Sequence, residues 1–492
     1  MASVEKESRL LAKNSAIYGA GTLLNGIAAF LLLPIYTRYL TPYDYGIKEL
    51  VGLSLEVVGI LVSTGISGAV FRFYFQYDNE KDRRLFLSTS ITALFFLGFL
   101  AFGGLSLASG RLAFYLLDSA SLYHFFIIGL LSLVFQSVNN VGLLYLRIQH
   151  KAYKFVGYSL LRLVLAIALN IYFICWLKVG VVGILLSTLI TALIMNLLLI
   201  WPLLFQVGVH FSYAHFREML SFGLPLIPGN LANFVVHLSS RFFLKGYCSI
   251  ADAGLYSLGS RFGNIPSNFI SVPFNQAWQP RRFEMYKAEH SEKIFGKVFT
   301  YFLLIMAFGG LMVSVLAPDI IRLMATPEFW PAGSIVPIIV LSSIVLSLQY
   351  HFDMGLWLEK KSKHLAAINI ANACFVIVMN FLLIPTYGVV GAAVANLASM
   401  IFRVGLTYYF SSRFYRIYFE FRRISKIVGA AVTLFGASQF IEPTNILFAL
   451  SAHFLLTLVF PFLLYVLQFF NPEEKEKVLG FIRPKLPLFM KS

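Results

Sequence analysis

Long apolar runs recur along the whole 492-residue chain, and they constrain its fold more than any other feature. A helix needs about 20 apolar residues to cross the hydrocarbon layer of a membrane. Runs of this kind predict spans near residues 14–37, 44–70, 85–108, 122–146, 155–178, 181–205, 217–243, 253–278, 294–317, 332–357, 365–384, 387–410, 425–441 and 445–469. Hydrophobic residues make up 58% of the chain and charged residues 13%, which is more apolar surface than a soluble protein of this length can bury. The sequence therefore predicts an all-α integral membrane protein with about fourteen transmembrane helices, or about twelve if the last pair lies at the membrane surface.

Lysine and arginine residues are concentrated in alternate connecting segments. With the amino terminus in the cytoplasm, the outer segments hold only Arg38, Arg111, Lys178, Lys245 and Arg322. Positive charge resists translocation, so this asymmetry predicts an even number of spans and two cytoplasmic termini. The formal net charge of +16 is spread between apolar runs, which favours anionic membrane lipids over nucleic acid as the partner. The polar amino terminus lacks a small-residue cleavage site after its first apolar run, so we expect a retained first span.

The connecting segments are short on both sides and carry no catalytic signature. The sequence has no Gly-rich phosphate loop with its lysine, no HExxH motif and no CxxC motif. Its three cysteines, Cys175, Cys248 and Cys374, lie in or beside apolar runs without metal-ligand spacing. We therefore expect a secondary transporter rather than an enzyme, with no metal and no cofactor. An H⁺ or Na⁺ gradient is the expected energy source.

Short motifs recur at a displacement of 208 residues. The displacement relates YLTPYDYG to YCSIADAG and VGVVG to YGVVG, and it pairs Asp44 with Asp252, Gly46 with Gly254, Asn25 with Asn233 and Gly183 with Gly391. Because it spans six predicted helices, the sequence predicts two six-helix lobes of like orientation at 1–210 and 211–412. Residues 413–492 then form two extra helices and a basic cytoplasmic tail. Two such lobes enclose a central cavity, and we expect Asp44 to cap the second helix.

Polar side chains share one face of several predicted spans. An ionised side chain at mid-bilayer costs roughly 2.5–3.5 kcal/mol even on a lenient insertion scale, so Glu56 and Arg261 need a partner or water. Asparagine and serine residues that merely join helices are the alternative explanation for single positions. At 3.6 residues per turn, the stripes predict that the substrate cavity is lined by Asn25, Glu56, Asn233, His237, Arg241, Arg261, Asn264 and Asn268.

Three arginines, Arg72, Arg281 and Arg282, lie where spans two and eight reach the predicted cytoplasmic surface. Positive-inside anchoring explains them, and bidentate guanidinium donors also suit phosphate oxygens. The second hypothesis is that they receive an anionic diphosphate at the entrance of the cavity.

Energy coupling to an ion gradient requires groups that change protonation or bind the ion. Within the predicted spans, Glu56 and Asp353 are the carboxylates that we would test first, followed by His237. The sequence contains no nucleotide site that would supply energy in another way.

The start of the chain, with Asn14-Ser15 and LPIYTRYLTPYDYG, and the YGVVGAAVAN stretch at 387–396 resemble polysaccharide-export flippases of the Wzx type. These belong to the multidrug/oligosaccharidyl-lipid/polysaccharide (MOP) exporter superfamily. The resemblance implies a bacterial inner-membrane flippase that moves polyprenyl-diphosphate-linked oligosaccharide repeat units to the periplasmic leaflet by alternating access, for O-antigen (lipopolysaccharide), capsule or exopolysaccharide biosynthesis. It also implies a cavity bordered by helices one, two, seven and eight, a groove for the prenyl tail at the last two helices, and polysaccharide polymerase machinery as a further partner.

Two other functions are weighed against this one. A multidrug or cation antiporter of the same superfamily shares the fold but favours a compact acidic site, whereas the predicted cavity is cationic. A membrane glycan polymerase or ligase handles the same substrates but needs an extended extracytoplasmic loop, and the outer loops here are short. Relatives that flip the peptidoglycan precursor carry arginines within the first helix. The predicted first span of this chain, 14–37, has none, and the next arginine is Arg38.

Overall fold

A computed structural model of the chain describes residues 32–286, 288–359, 361–441, 445–471 and 474. Every regular element in these ranges is helical, which confirms the predicted all-α fold. The α-helices are α1 Leu33–Tyr39, α2 Pro42–Phe73, α3 Glu80–Leu107, α4 Ser109–Leu117, α5 Tyr123–Ile148, α6 Ala152–Ile171, α7 Gly180–Met195, α8 Trp201–Val207, α9 Tyr213–Gly223, α10 Ile227–Leu238, α11 Ser240–Tyr247, α12 Ile250–Gly263, α13 Val272–Met285, α14 Ser291–Met324, α15 Val336–Phe352, α16 Met354–Leu358, α17 Ser362–Ser411, α18 Phe421–Ser438 and α19 Ile446–Val466.

Short segments of tighter or wider helix connect several of these elements. Ala120–Leu122, Leu224–Leu226 and Pro327–Ile335 are 3₁₀-helical, while Tyr172–Trp176, Asn196–Ile200 and Ser267–Ser271 are π-helical. Such segments let a long helix change direction without ending.

Nine helical segments among the described residues are long and apolar enough to cross a membrane. They are Glu80–Leu107, Ala120–Ile148, Ala152–Trp176, Gly180–Val207, Tyr213–Leu238, Ser291–Met324, Pro327–Phe352, Lys363–Ser411 and Ile446–Val466. Helix α2, with 32 residues, covers predicted span two. The chain is therefore a multi-pass membrane protein, while the number of fourteen spans and the two-lobe repeat stay predictions. Most of predicted span one lies outside the described residues.

The two repeated VVG motifs form matching turns. Gly180, at the start of α7, has φ 61°, and Gly388, inside α17, has φ 53°. This left-handed region strongly favours glycine because a side chain would clash with the backbone. At Gly388 the backbone leaves the helical conformation, so α17 consists of predicted spans eleven and twelve joined at one residue. The recurrence of the motif thus has a local physical cause.

The two repeated DYG and DAG motifs form matching helix caps. Thr41 is the N-cap residue of α2: its hydroxyl accepts the Asp44 N–H at 3.1 Å, and Asp44 Oδ2 accepts the Thr41 N–H at 3.1 Å. At the start of α12, the Ser249 hydroxyl likewise accepts the Asp252 N–H at 3.0 Å. The structure confirms that Asp44 caps the second helix, as the partner of Thr41 in a capping box.

The described residues form two compact units. The first holds the described residues up to Ser260 together with Met324–Ile335 and Lys363–Arg403. The second holds Arg261–Leu323, the described part of Val336–Ser362, and the described residues from Val404 onward. These units group helices by packing rather than by chain order. They do not follow the boundaries at 210 and 412, and the lobe boundaries stay a prediction.

Each unit has its own apolar core. In the first unit, Phe86, Val138, Ile200 and Met219 are fully buried against one another. In the second, apolar side chains of α14 pack against α18 and α19, with Phe460 and Ile427 fully buried. Close packing of this kind, rather than removal from water, holds helices together inside a bilayer.

Candidate functional site

Arg241 is a buried cation in the first unit, with 8% of its surface exposed. It stands on α11, directly after the break between α10 and α11 at Ser239. Its Nη1 donates to the carbonyl oxygen of His237 at 2.6 Å, and its Nε donates to the Ser257 hydroxyl at 3.3 Å. The guanidinium also lies over the Tyr256 ring, 4.8 Å from its centroid. The predicted stripes of spans seven and eight therefore meet at Arg241.

The guanidinium of Arg241 retains unused hydrogen-bond donors. An arginine has five N–H groups, and the contacts to His237 and Ser257 use two of them. Within the residues that the structure describes, no other acceptor is bonded to Arg241. Because its position is fixed by two hydrogen bonds while other donors remain unused, this side chain is a preorganised candidate site for an anion.

Glu56 lies on the exposed face of α2, within electrostatic reach of Arg241 and Glu49. Its carboxylate has no hydrogen-bond or ion-pair partner among the described residues. One turn earlier, a Cβ built at Gly52 would meet no atom within 4 Å, so this face of α2 borders open space. The carboxylate is free to accept hydrogen bonds from a ligand.

His237 and Asn233 continue the polar face along α10. The His237 imidazole is half-buried and experiences the charges of Arg403 and Arg241. The Asn233 side chain is exposed. In the first unit, the predicted stripe therefore combines the positive charges around His237 with the Glu56 carboxylate, which has no partner among the described residues.

An apolar cavity of about 250 Å³ in the first unit is lined by residues of α2 and its neighbours, but not by Glu56, Asn233 or Arg241. Residues on either side of Glu56 line it, including Leu55, Val57 and Val58, together with Phe126 and Phe242. Phe242 directly follows Arg241 in the chain. The first unit thus has an apolar cavity in addition to its charged face, and helices α2 and α11 contribute residues to both.

The other predicted cavity residues belong to the second unit. Arg261 is half-buried, and Asn264 and Asn268 are exposed on one helix face, where Asn268 N–H donates to the Asn264 carbonyl at 3.0 Å. Asn25 lies outside the described residues. That all eight residues line one cavity stays a prediction.

Arg282 and Asp353 form a buried ion pair in the second unit. Arg282 Nη1 lies 2.7 Å from Asp353 Oδ1, and the side chains are 3% and 9% exposed. The same nitrogen donates to the Tyr350 carbonyl at 2.6 Å, and Trp357 Nε1 donates to Asp353 Oδ2 at 3.0 Å. The sequence predicts Arg282 for a diphosphate entrance and Asp353 for coupling. The structure pairs the two side chains with each other, as a buried charge requires, and both roles stay predictions.

The remaining predicted entrance residues, Arg72 and Arg281, are exposed. Arg72 packs over the Phe222 ring at 4.9 Å. Both guanidinium groups are accessible to a ligand, and their role stays a prediction.

Three acidic partners of buried or surface basic side chains gave no signal in the sequence. Lys245 pairs with Asp118 at 2.7 Å and donates to the Tyr115 carbonyl at 2.8 Å. In the second unit, His453 pairs with Asp319, and Arg423 pairs with Glu474. Each of these acids lies far from its partner in sequence, so no spacing signal could reveal it.

No group of three or more histidine, cysteine, aspartate or glutamate side chains able to hold a metal ion occurs in the described ranges. The free cysteines differ in surroundings, since Cys175 is half-buried while Cys248 and Cys374 are exposed. Neither observation adds a cofactor to the site.

Known proteins resemble this chain in sequence. A family model described as "Polysaccharide biosynthesis protein" matches residues 35–288, just over half of the chain. A protein of the Lsg locus of Haemophilus influenzae is 27% identical over 289 residues, which are 56% of this chain and 66% of that protein. A second membrane protein of the same organism is 26% identical over 286 residues, with the same coverage. The chain thus spans slightly less than two thirds of the length of these two relatives.

Solved structures share the fold at low sequence identity. The lipid II flippase MurJ in its inward closed conformation superposes with a TM-score of 0.70 at 14% identity, over 92% of this chain and 99% of that one. An inward-facing multidrug resistance MATE transporter of the MOP superfamily gives a TM-score of 0.61 at 16% identity, over 83% and 96%. At these identities the likeness concerns the fold alone. The chain therefore belongs to the polysaccharide biosynthesis protein family and has the fold of the MOP exporter superfamily.

Proposed function

We propose that this protein is a flippase that moves a polyprenyl-diphosphate-linked oligosaccharide from the cytoplasmic to the periplasmic leaflet of the bacterial inner membrane, for O-antigen, capsule or exopolysaccharide biosynthesis. The observation that carries the proposal is the buried Arg241 guanidinium, which is fixed by His237 and Ser257 and keeps unused donors. A buried cation inside a membrane protein is costly and is therefore a functional candidate by default. Membership of the polysaccharide biosynthesis family supports the class of substrate.

The chemistry around Arg241 fits the parts of such a substrate. Guanidinium donors suit the oxygens of a diphosphate or an acidic sugar. The open carboxylate of Glu56 and the exposed amide of Asn233 suit sugar hydroxyl groups, which both donate and accept hydrogen bonds. The apolar cavity of about 250 Å³ in the same unit suits part of the prenyl chain.

A second candidate function is export of an organic cation in exchange for H⁺ or Na⁺. The exposed carboxylate of Glu56 favours it, and the MATE transporters show that this fold accommodates multidrug transport. The charges of Arg241 and Arg403 around His237 argue against it, because they repel a cation. The charges around His237 and the family match both favour the anionic lipid-linked substrate over the cation.

Reconstitution in proteoliposomes tests the proposal. Wild type, Arg241→Gln, Glu56→Gln and Arg413→Gln are compared for translocation of a polyprenyl-diphosphate oligosaccharide, detected by glycosidase access from the opposite side. Arg413 is an exposed arginine just after the end of α17, so Arg413→Gln controls for loss of one positive charge. We expect translocation to fall at least about tenfold in Arg241→Gln, the loss expected for a charge-assisted hydrogen bond of roughly 1.5 kcal/mol, and to stay normal in Arg413→Gln. Equal rates in all four proteins contradict the assignment, and efflux of a cationic dye without glycan transport supports the second candidate.

A further inference from the structure

A small cavity in the second unit lies beside the Arg282–Asp353 ion pair. Its volume is about 10 Å³, and it lies between α13, α14, α15 and α16. Arg282 and His351 line it together with Trp278, Phe295, Tyr350 and Met354. Because most of the lining is apolar or aromatic, the polar groups of Arg282 and His351 decide what the cavity can hold.

Arg282 has a buried donor that the ion pair does not use. Its Nη1 is bonded to Asp353 Oδ1 at 2.7 Å and to the Tyr350 carbonyl oxygen at 2.6 Å. Among the described residues, nothing accepts a hydrogen bond from its Nε–H, although this nitrogen is fully buried. An N–H group that bonds neither protein nor water in a buried place is costly. We therefore expect a further acceptor at this nitrogen.

The His351 imidazole also has a buried nitrogen without a partner. His351 is 4% exposed, and its Nε2 makes no hydrogen bond in the part of the chain that the structure describes. The rings of Phe274, Phe299 and Phe302 surround the imidazole, with centroids 5.8, 5.4 and 4.8 Å away. Phenyl rings offer neither a lone pair nor an N–H group, so the partner of this nitrogen has to be another molecule.

We propose that one water molecule occupies this cavity and bridges Arg282 Nε to His351 Nε2. A site for a single water needs roughly 10–15 Å³ and roughly two to four polar partners. The cavity volume and the two unsatisfied nitrogens meet both conditions. Arg282 Nε–H donates to the water oxygen. Since water both donates and accepts, it also bonds His351 Nε2 whichever ring nitrogen carries the proton.

The charge and size of the site favour water over other small ligands. The Arg282 guanidinium repels a cation. Its charge is already balanced by Asp353, so an anion would add an uncompensated charge in a buried place. An apolar ligand would leave both nitrogens without a partner. The bound water thus completes the hydrogen bonding of an ion pair that joins α13 to the junction of α15 and α16, whatever substrate the protein transports.

Radiolytic footprinting of the full-length protein in lipid nanodiscs tests the proposal. X-rays convert bound water into hydroxyl radicals, which oxidise the nearest side chains even where bulk solvent has no access. Met354 lines the cavity and is 3% exposed, whereas Met306 of α14 does not line it and is 0% exposed. We expect Met354 to be converted to the sulfoxide several-fold faster than Met306, as measured by mass spectrometry of peptides. Equal protection of both methionines would overturn the proposal.

His351→Leu and His351→Gln are the matched variants. Leucine removes the nitrogen that holds the water, whereas the glutamine amide can still donate to the water or accept from it. We expect the rapid oxidation of Met354 to be lost in His351→Leu and kept in His351→Gln. Gel filtration establishes that both variants are folded. Oxidation of Met354 that is as fast in His351→Leu as in wild type would contradict the assignment of the water to His351.

A cryo-EM map of the wild type that resolves ordered waters is a readout that needs no variant. We expect density within hydrogen-bond distance of both Arg282 Nε and His351 Nε2. A map in which either nitrogen bonds a protein group instead would rule the water out. Neither readout involves transport, so failure of the flippase assignment is detected separately.

Discussion

Gly46 and Gly254, which the 208-residue displacement relates to each other, pack directly against one another in the first unit. A Cβ built at Gly254 would lie 2.8 Å from the Gly46 nitrogen and 2.3 Å from the Pro42 carbonyl oxygen, and one built at Gly46 would lie 2.0 Å from the Ile250 carbonyl oxygen. The capped ends of α2 and α12 therefore meet backbone to backbone. The repeated glycine is needed for this contact, just as the repeated acidic residue is needed for the cap.

Substitution of either glycine should separate these helix ends. We expect Gly254→Ala to destabilise the protein by about 1–3 kcal/mol, the range for overpacking a well-packed contact, because the atoms that the new Cβ would meet are backbone atoms that cannot rotate away. Thermal unfolding in detergent measures the effect. Gly52→Ala, in the same helix as Gly46, is the control, since its Cβ would meet nothing within 4 Å. Equal melting temperatures for Gly254→Ala and wild type would contradict this reading of the contact.

Because Arg282 is paired with Asp353, we expect substitutions of the adjacent residues Arg281 and Arg282 to have very different effects on stability. Arg282→Gln should cost about 3–5 kcal/mol, because it leaves the buried Asp353 carboxylate without its cation. Arg281→Gln removes an exposed charge one position earlier and should leave unfolding unchanged. The comparison is made by thermal unfolding of both variants. If Arg281→Gln lowers the melting temperature more than Arg282→Gln does, Arg282 is not the structural cation.

Glu474 predicts a stability loss in acid. Burial raises the pKa of its carboxyl group, but hydrogen bonds from Tyr301, from the Asn471 backbone and from Lys297, with the charge of Arg423, outweigh burial and lower the pKa from 4.5 to about 2. Because the pKa is lower in the folded state, the ionised carboxylate stabilises the protein at every pH above the ordinary pKa of a glutamate. This contribution is lost as the pH falls toward 2. We expect the difference in melting temperature between wild type and Glu474→Gln to be largest near neutral pH and to shrink in acid. The exposed Glu284→Gln serves as the control, and a pH-independent difference would rule out the ion-pair explanation.

Labelling of Cys248 tests which side of the membrane its hairpin faces. The residue is exposed between α11 and α12, in a predicted outer hairpin. Partial burial, and then the charge of Asp252, raises the pKa of its thiol, so less thiolate is present at neutral pH. We expect a membrane-impermeant maleimide to label intact cells at Cys248 slowly, at a rate that increases with pH. Cys248→Ser should lose the label, and labelling that requires broken membranes would place this hairpin in the cytoplasm.

Features that depend on residues close together in the sequence could be predicted. The cap at Asp44 follows from residues three positions apart, and the glycine turns at 180 and 388 follow from motifs of five residues. Helical periodicity also grouped His237 with Arg241, which the structure joins through a hydrogen bond. These signals are local because helix geometry itself sets the spacing.

Pairs that depend on packing could not be predicted. Asp353 stands out as an acid in an apolar run, but its partner Arg282 lies 71 residues earlier. Arg281 and Arg282 are alike in sequence, yet successive helical residues point about 100° apart, so one is exposed and the other buried. His453 and Asp319 are 134 residues apart, and neither belongs to a polar stripe. Only the arrangement of helices in space reveals such partners.

The turn at Gly388 has a practical consequence for mapping this protein in cells. Because α17 changes direction at a single residue, predicted spans eleven and twelve are joined without a loop that an antibody could bind or a protease could cleave. Epitope tags inserted there would have to unravel a membrane crossing. The segment between Tyr74 and Asn79, which precedes α3, contains no helical residue, so a tag inserted there would not interrupt a helix.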